Sequence, residues 1–151
     1  MTRTTLCYIE SSGQYLMMLR NKKQNDPNAG KWVGIGGKFR EGETPDECMI
    51  REVREETGLT VSEYHFHGVI HFRSDTWEDE DMYLYSAKAP DTASINDDIC
   101  DEGTLRWIEK NEIMGLSLWE GDRLFLEKLI SGEEHIEMTL HYEGDTLIEW
   151  T

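Results

Sequence analysis

The stretch GKFREGETPDECMIREVREETGL, residues 37–59, decides the reading of this chain. Pro45 directly after Thr44 marks a helix first turn and Gly58 marks a helix end, so Thr44 to Thr57 is expected to be helical. Within it Glu52, Glu55 and Glu56 stand three and four residues apart from the first. At roughly 100° per residue they fall near 0°, −60° and +40°, a single stripe, whereas Val53 and Ile50 point about 100° and 160° away, toward a core. Like charges so spaced are destabilising, and at an effective dielectric of 20 a pair about 4 Å apart repels by about 4 kcal/mol. Arg51 and Arg54 leave the helix at about −100° and −160°, where neither is placed to neutralise the whole stripe. Hard divalent cations, Mg²⁺ or Mn²⁺, are the natural counter-charge, because they bind through a few carboxylates together with substrate phosphates. A solvated acidic face is the competing reading of three glutamates taken alone.

The residues in front of the helix favour the metal. Gly36 and Gly37 let backbone groups approach an ion or phosphate, Lys38 adds a cation, and Glu43 lies where it can pair with Arg51 and brace a loop against the helix. Upstream, Thr4 to Glu10 and Gln14 to Arg20 read as a hairpin about Ser11-Ser12-Gly13, and Trp32 to Ile35 as a short strand. Downstream, strands are expected at Tyr64 to Arg73, Met82 to Lys88 and Thr104 to Ile108, with the acidic WEDEDM (77–82) as a solvated hairpin tip. A second helix fits Asp122 to Ile130, and Ile136 to Tyr142 with Thr146 to Trp150 form a last hairpin about Glu143-Gly144-Asp145. Strands outnumber helices without strict alternation, so a mixed sheet with helices packed on it is expected.

The chain has 151 residues and a formal net charge of −16. That length fits one domain, residues 1–151, without repeats or a linker. The first sixty residues are balanced, nine basic against nine acidic, so the remaining 91 carry the whole excess. A broad grip on polymeric nucleic acid is therefore improbable, and any phosphate must be met locally, by cations between Arg20 and Arg40 or by metal. The longest purely apolar run, Tyr15 to Leu19, is far short of the roughly 20 residues a membrane span needs, and the N-terminus lacks a signal-peptide segment. A cytoplasmic protein without a membrane partner is expected. Cys7, Cys48 and Cys100 lack CxxC spacing and read as small buried hydrophobes. His65, His67 and His71 share strand parity, but His65 and His71 lie roughly 20 Å apart on an extended strand, too far for one zinc ion. No P-loop or GxGxxG pattern occurs.

Gly37, Glu43, Arg51, Glu52, Val53, Glu55, Glu56, Gly58 and Leu59 together resemble the complete Nudix box, Gx₅Ex₇REUxEExGU with U aliphatic, spanning residues 37–59. Seven fixed letters at roughly 7% usage each match by chance on the order of 10⁻⁸ times per start position. The resemblance implies an α/β/α sandwich around a mixed β-sheet and hydrolysis of nucleoside diphosphates linked to another moiety. It implies that Glu52, Glu55, Glu56, the Gly36 carbonyl and the further acid Glu102 hold Mg²⁺, with Mn²⁺ as the alternative. Glu52 is the first choice as proton acceptor, Glu102 its rival, and Lys23 and Lys38 steady the phosphates. Gly37, Glu43, Arg51 and Gly58 are the structural positions of the box.

GKWVGIGGK, SLWEGD and the ending LHYEGDTLIEW are similar to the MutT-type oxidised-purine nucleoside triphosphatases within that family. By this likeness the expected substrate is 8-oxo-dGTP or a related oxidised purine nucleotide, cleaved to a monophosphate and pyrophosphate. Trp119 matches the stacking Trp and Asp122 the second of two base-reading acids, while Gly121 replaces the first acid and Val33 replaces an Asn. Core packing is the competing role for Trp119, as a solvated loop acid is for Glu102. Hydrolysis of a nucleotide sugar or dinucleoside polyphosphate is the alternative activity, and a non-catalytic ligand-binding module the alternative class; the intact glutamate stripe argues against the latter. Monomer and homodimer remain open.

Overall fold

The computed structural model describes residues 1–89, 95 and 100–151. β1 (Thr2–Ser11) and β2 (Gln14–Arg20) are joined through Ser12 and Gly13, both at positive φ (50° and 78°), the two-residue turn whose twist suits a hairpin. Where one strand was expected over Trp32 to Ile35, the chain makes two, β3 (Trp32–Val33) on β2 and β4 (Ile35–Lys38) on β1. The switch of partner falls at Gly34, where a Cβ would stand 3.0 Å from the Cys7 carbonyl and the Tyr8 ring. Gly36 and Gly37 are consequently strand residues facing Leu6 and Thr5, not members of an open loop.

The first helix, α1 (Pro45–Thr57), is specified locally. The Thr44 hydroxyl accepts from the Glu47 amide at 3.2 Å while the Glu47 carboxylate accepts from the Thr44 amide at 2.9 Å, and Gly58 closes the helix at φ 81°. β5 (Tyr64–Ser74) and β6 (Glu80–Lys88) follow as an antiparallel pair with an irregularity between Phe66 and Gly68. That irregularity overturns the shared parity of the three histidines: His65 stands opposite Ser86, but His71 stands opposite Asp81, on the other face of the sheet. β7 (Gly103–Glu109) runs antiparallel to β2, a 3-10 turn spans Lys110–Gly115, and α2 (Glu120–Ile130) starts two residues before Asp122. β8 (Met138–Glu143) and β9 (Thr146–Trp150) make the last hairpin.

The strands form one nine-stranded sheet in the order β3-β2-β1-β6-β5-β8-β9, with β4 and β7 added on β1 and β2. β1 and β6 run parallel, as do β5 and β8, and the other pairings are antiparallel, which makes the sheet mixed. α1 packs Cys48, Met49 and Val53 on one face against Ile35, Leu16 and Tyr85, and α2 packs Phe125, Leu126 and Leu129 on the other against Tyr8, Leu84 and Leu140. Each such side chain contributes about 1.5–3 kcal/mol by leaving water, so both faces hold their helix firmly. The result is an α/β/α sandwich. Among the described residues, no helix is long and apolar enough to cross a membrane.

The acidic tip is shorter than its sequence suggests. β6 begins at Glu80, because parallel pairing with Thr2 and Arg3 of β1 draws Glu80 and Asp81 into the sheet. Glu80 accepts from the Thr4 hydroxyl at 2.8 Å, and burial raises its carboxyl above the ordinary range.

Candidate active site

The capping box orients α1 so that Glu52 meets β4. A Cβ on Gly37 would stand 2.6 Å from the Glu52 carboxyl carbon, so only glycine admits that approach. Arg51 forks onto Glu43, with Nε to Oε2 at 2.5 Å and Nη2 to Oε1 at 2.9 Å, and the guanidinium holds the Glu43 carboxyl down at about 2. Its Nη2 also donates to the Lys38 carbonyl at 3.1 Å, tying the end of β4 to the helix.

The stripe is neutralised from within only in part, as the angular positions of Arg51 and Arg54 lead one to expect. Arg51 Nη1 reaches Glu52 Oε1 at 2.7 Å and Glu55 Oε2 at 3.1 Å, and Arg40 adds a contact to Glu55 at 3.1 Å. The Arg51 Cβ points away from the stripe, but its long stem curls back along the helix surface to reach Glu52 and Glu55. Glu56 pairs with no cation among the described residues. It is 7% exposed, and burial followed by repulsion from Glu102 pushes its carboxyl up to about 7, with Asp101 and Glu52 adding to the effect. Its one side-chain hydrogen bond among the described residues comes from the Cys100 thiol, at 3.3 Å to Oε2.

Glu102 is brought beside this group by the far end of β2. Arg20 Nη1 contacts Glu102 at 3.2 Å and Arg20 Nε contacts Asp26 at 2.7 Å, while Lys22 Nζ donates to the Cys100 carbonyl at 2.9 Å. Arg20, Lys22 and Arg40, read from the sequence as part of a phosphate-receiving cluster, are therefore engaged with protein groups. Lys23 and Lys38 are exposed, and neither side chain makes a hydrogen bond or ion pair among the described residues.

The donor set fits a hard divalent ion. Carboxylates of Glu52, Glu102 and Asp101 crowd a buried Glu56 that pairs with no cation among the described residues, which is the charge arrangement a divalent ion relieves. Among the described residues no three acidic, histidine or cysteine side chains already stand at metal-holding distances, in keeping with Arg51 holding Glu52 and Glu55.

On the opposite face, Trp119 lies at the N-terminus of α2, 7% exposed, with its Nε1 donating to Asn28 Oδ1 at 2.7 Å and Tyr142 edge-on at 5.2 Å. Lys31 Nζ sits 5.3 Å over its ring. Asp122 is buried without a hydrogen-bond partner among the described residues, and burial, with repulsion from Glu80, raises its carboxyl to about 7. The Tyr8 hydroxyl near it is also buried, with the Gly34 amide beside it but no well-formed hydrogen bond among the described residues. Val33 does not join them: it packs with Met18 and Val53 in the α1-side core. A cleft of about 640 Å³ between α2 and β9, and another of about 290 Å³ beside His65 and His67, hold none of the box residues. Tyr142 and Cys100 carry no functional signal in the sequence, and Arg20 and Lys31 are marked there only as cations of the 20–40 cluster, not by the Glu102 and Trp119 partners they take here. No local pattern marks these partnerships, since Arg20–Glu102, Cys100–Glu56 and Tyr142–Gly121 each span at least 21 residues of chain and Lys31 meets Trp119 through a ring contact.

The profile of the NUDIX domain family matches residues 2–129. This chain belongs to the Nudix family. As a Nudix hydrolase it is 28% identical over 142 residues to the uncharacterized Nudix hydrolase YvcI of Bacillus subtilis, covering 93% of this chain and 86% of that protein. It is 28% identical over 135 residues to the oxidized purine nucleoside triphosphate hydrolase of Mus musculus, covering 89% and 85%. The mutator MutT protein of Bacillus halodurans superposes over 100% of this chain and 97% of its own, with a TM-score of 0.87 and 25% identity. Nudix enzymes act on small nucleotide substrates and generally use divalent ions.

Proposed function

We propose that this Nudix hydrolase is a Mg²⁺-dependent nucleoside triphosphate pyrophosphohydrolase acting on 8-oxo-dGTP or a related oxidised purine nucleotide. The observation that carries the reading is the buried Asp122 side chain beside Trp119, which has no hydrogen-bond partner among the described residues, with the buried Tyr8 hydroxyl next to it. Burying a polar group without a partner costs on the order of 1–3 kcal/mol, and a heteroaromatic edge carrying N–H donors supplies what Asp122 lacks. The similarity to the mouse enzyme supports the same substrate class.

In this reading Glu52, Glu55, Glu56, Glu102 and the Gly36 carbonyl hold the ion, and Mn²⁺ suits the same oxygen donors. When bound, the ion polarises the phosphate and makes water a better nucleophile. Glu52 takes the water proton on Oε2, the oxygen Arg51 leaves free. Water adds at the β-phosphorus, the bond to the α–β bridging oxygen breaks, and the products are a nucleoside monophosphate and pyrophosphate. Lys38 and Lys23, whose side chains make no hydrogen bond or ion pair among the described residues, steady the phosphates. With Gly121 supplying no polar side chain beside Trp119 and Asp122, discrimination between 8-oxo-dGTP and dGTP rests on fewer hydrogen bonds.

The test is a Mg²⁺ turnover panel of oxidised and normal nucleoside triphosphates, nucleotide sugars and dinucleoside polyphosphates. The expected result is fastest turnover of oxidised purine triphosphates, and a Glu56→Gln variant that folds normally with turnover lowered about 10²-fold or more. A preference for nucleotide sugars or dinucleoside polyphosphates overturns the substrate class, and near-normal rates for Glu56→Gln overturn the site.

A further inference from the structure

The three stripe glutamates are held in different ways. Glu52 and Glu55 take Arg51, Glu55 also takes Arg40, and Glu102 takes Arg20, so each is oriented by a cation. Glu56, the most buried of the acids around the site, is oriented by a neutral sulfur donor instead. Cys100 is itself 1% exposed and fixed in place through its carbonyl, which accepts from Lys22 Nζ at 2.9 Å. Two residues on, Glu102 is pinned by Arg20, so residues 100–102 are fastened at both ends against the β2 terminus.

We propose that Cys100 is a positioning residue of the metal centre, its thiol holding Glu56 Oε2 from the buried side so that the other carboxylate oxygen is presented to a divalent ion. This rests on the assignment of Glu56 as a metal ligand. The choice of a thiol has a physical logic. An Arg or Lys at this place would orient Glu56 as well, but its charge would compete with the ion for the same carboxylate and repel the ion directly. A hydroxyl or thiol directs the carboxylate without either penalty, and a thiol also tolerates the apolar surroundings in which Cys100 sits, among Ile9, Met49 and Leu105. Groups that hold metal ligands from behind govern affinity strongly, since their loss typically weakens metal binding by about 10–100-fold.

Mn²⁺ titration of the protein alone, followed by electron paramagnetic resonance of the free ion, separates this role from packing and needs no substrate. Cys100→Ser keeps a donor of similar size, whereas Cys100→Ala and Cys100→Val remove it, the valine while keeping the space filled. The expected result is Mn²⁺ affinity within about twofold of the parent for Ser and about tenfold weaker for both Ala and Val, the low end of the usual range because a thiol donates weakly. Valine binding Mn²⁺ as the parent does, serine binding as poorly as alanine, or a parent protein that takes up no Mn²⁺ would each overturn the assignment. Because the readout is metal uptake, a parent that binds Mn²⁺ but hydrolyses no nucleoside triphosphate sinks the proposed activity and leaves Cys100 standing.

Discussion

Two adjacent glycines show how much a single hydrogen atom decides here. A Cβ on Gly36 would lie 1.8 Å from the Thr5 carbonyl oxygen, a backbone atom of β1 that cannot yield without breaking the β1–β4 pairing. A Cβ on Gly37 would meet instead the Glu52 carboxylate, 2.6 Å from its carbon, which is the far end of a flexible side chain. The two substitutions should therefore separate stability from chemistry. Gly36→Ala is expected to destabilise the fold by about 2–4 kcal/mol, the scale of overpacking in a fixed environment. Gly37→Ala is expected to cost less than about 1 kcal/mol in urea unfolding yet lower kcat about tenfold or more, because Glu52 is pushed from its place. Equal loss of stability in both variants, or full activity in Gly37→Ala, would contradict this division. The same residue scale separates the acids. Glu43 keeps its stabilising charge until pH falls toward about 2, whereas Glu56 begins to take up a proton near pH 7.

At the scale of elements, α1 carries the site and is held by signals within its own sequence. Thr44→Ala removes the hydroxyl that satisfies the Glu47 amide and should lower unfolding free energy by about 1 kcal/mol in urea titration, with kcat within about twofold of the parent because no stripe residue moves. A large loss of turnover would mean that the cap also sets the angle at which Glu52 meets β4. This locality is why α1, its ends and the stripe could be read directly from residues 44–58, and why the Ser12-Gly13 turn could be placed. Other features depend on partners distant in the chain. The split at Gly34 follows from strands exchanging neighbours, and the early start of β6 follows from parallel pairing with Thr2 and Arg3. The histidine parity fails at a single irregularity, Phe66 to Gly68, which no hydrophobic alternation announces. Within the site, Glu52 and Glu56 were legible as one stripe, but the Arg51 fork onto Glu52 and Glu55 was not, because side-chain reach is absent from a helical wheel. The Cys100 thiol was read as one more buried hydrophobe. Only the meeting of residues 56 and 100 in space gives it a polar task.

Over the whole molecule, a net charge of −16 and two carboxyls raised to about 7 act on stability in the same direction but with different screening. Asp122 titrates near 3.8 when exposed and near 7 when folded, so between those values the native state keeps a proton the unfolded chain has lost. Stability must then fall as pH rises through this window and level off above it. The general repulsion among 31 acidic residues also grows as pH rises, but it acts through solvent and fades over a Debye length of about 10 Å at 0.1 M salt. The buried contribution is screened far less. Unfolding of the ligand-free protein at pH 5 and pH 8, at low and high NaCl, should show a loss on the order of 2–4 kcal/mol that salt reduces only in part. Asp122→Asn removes the ionisation without changing the shape, and should recover at least about 1 kcal/mol at pH 8 while changing little at pH 5. If high salt abolishes the whole pH dependence, or if Asp122→Asn is no more stable than the parent at pH 8, the buried carboxylate has found a partner in solution and its readiness to receive a ligand's donors is lost with it.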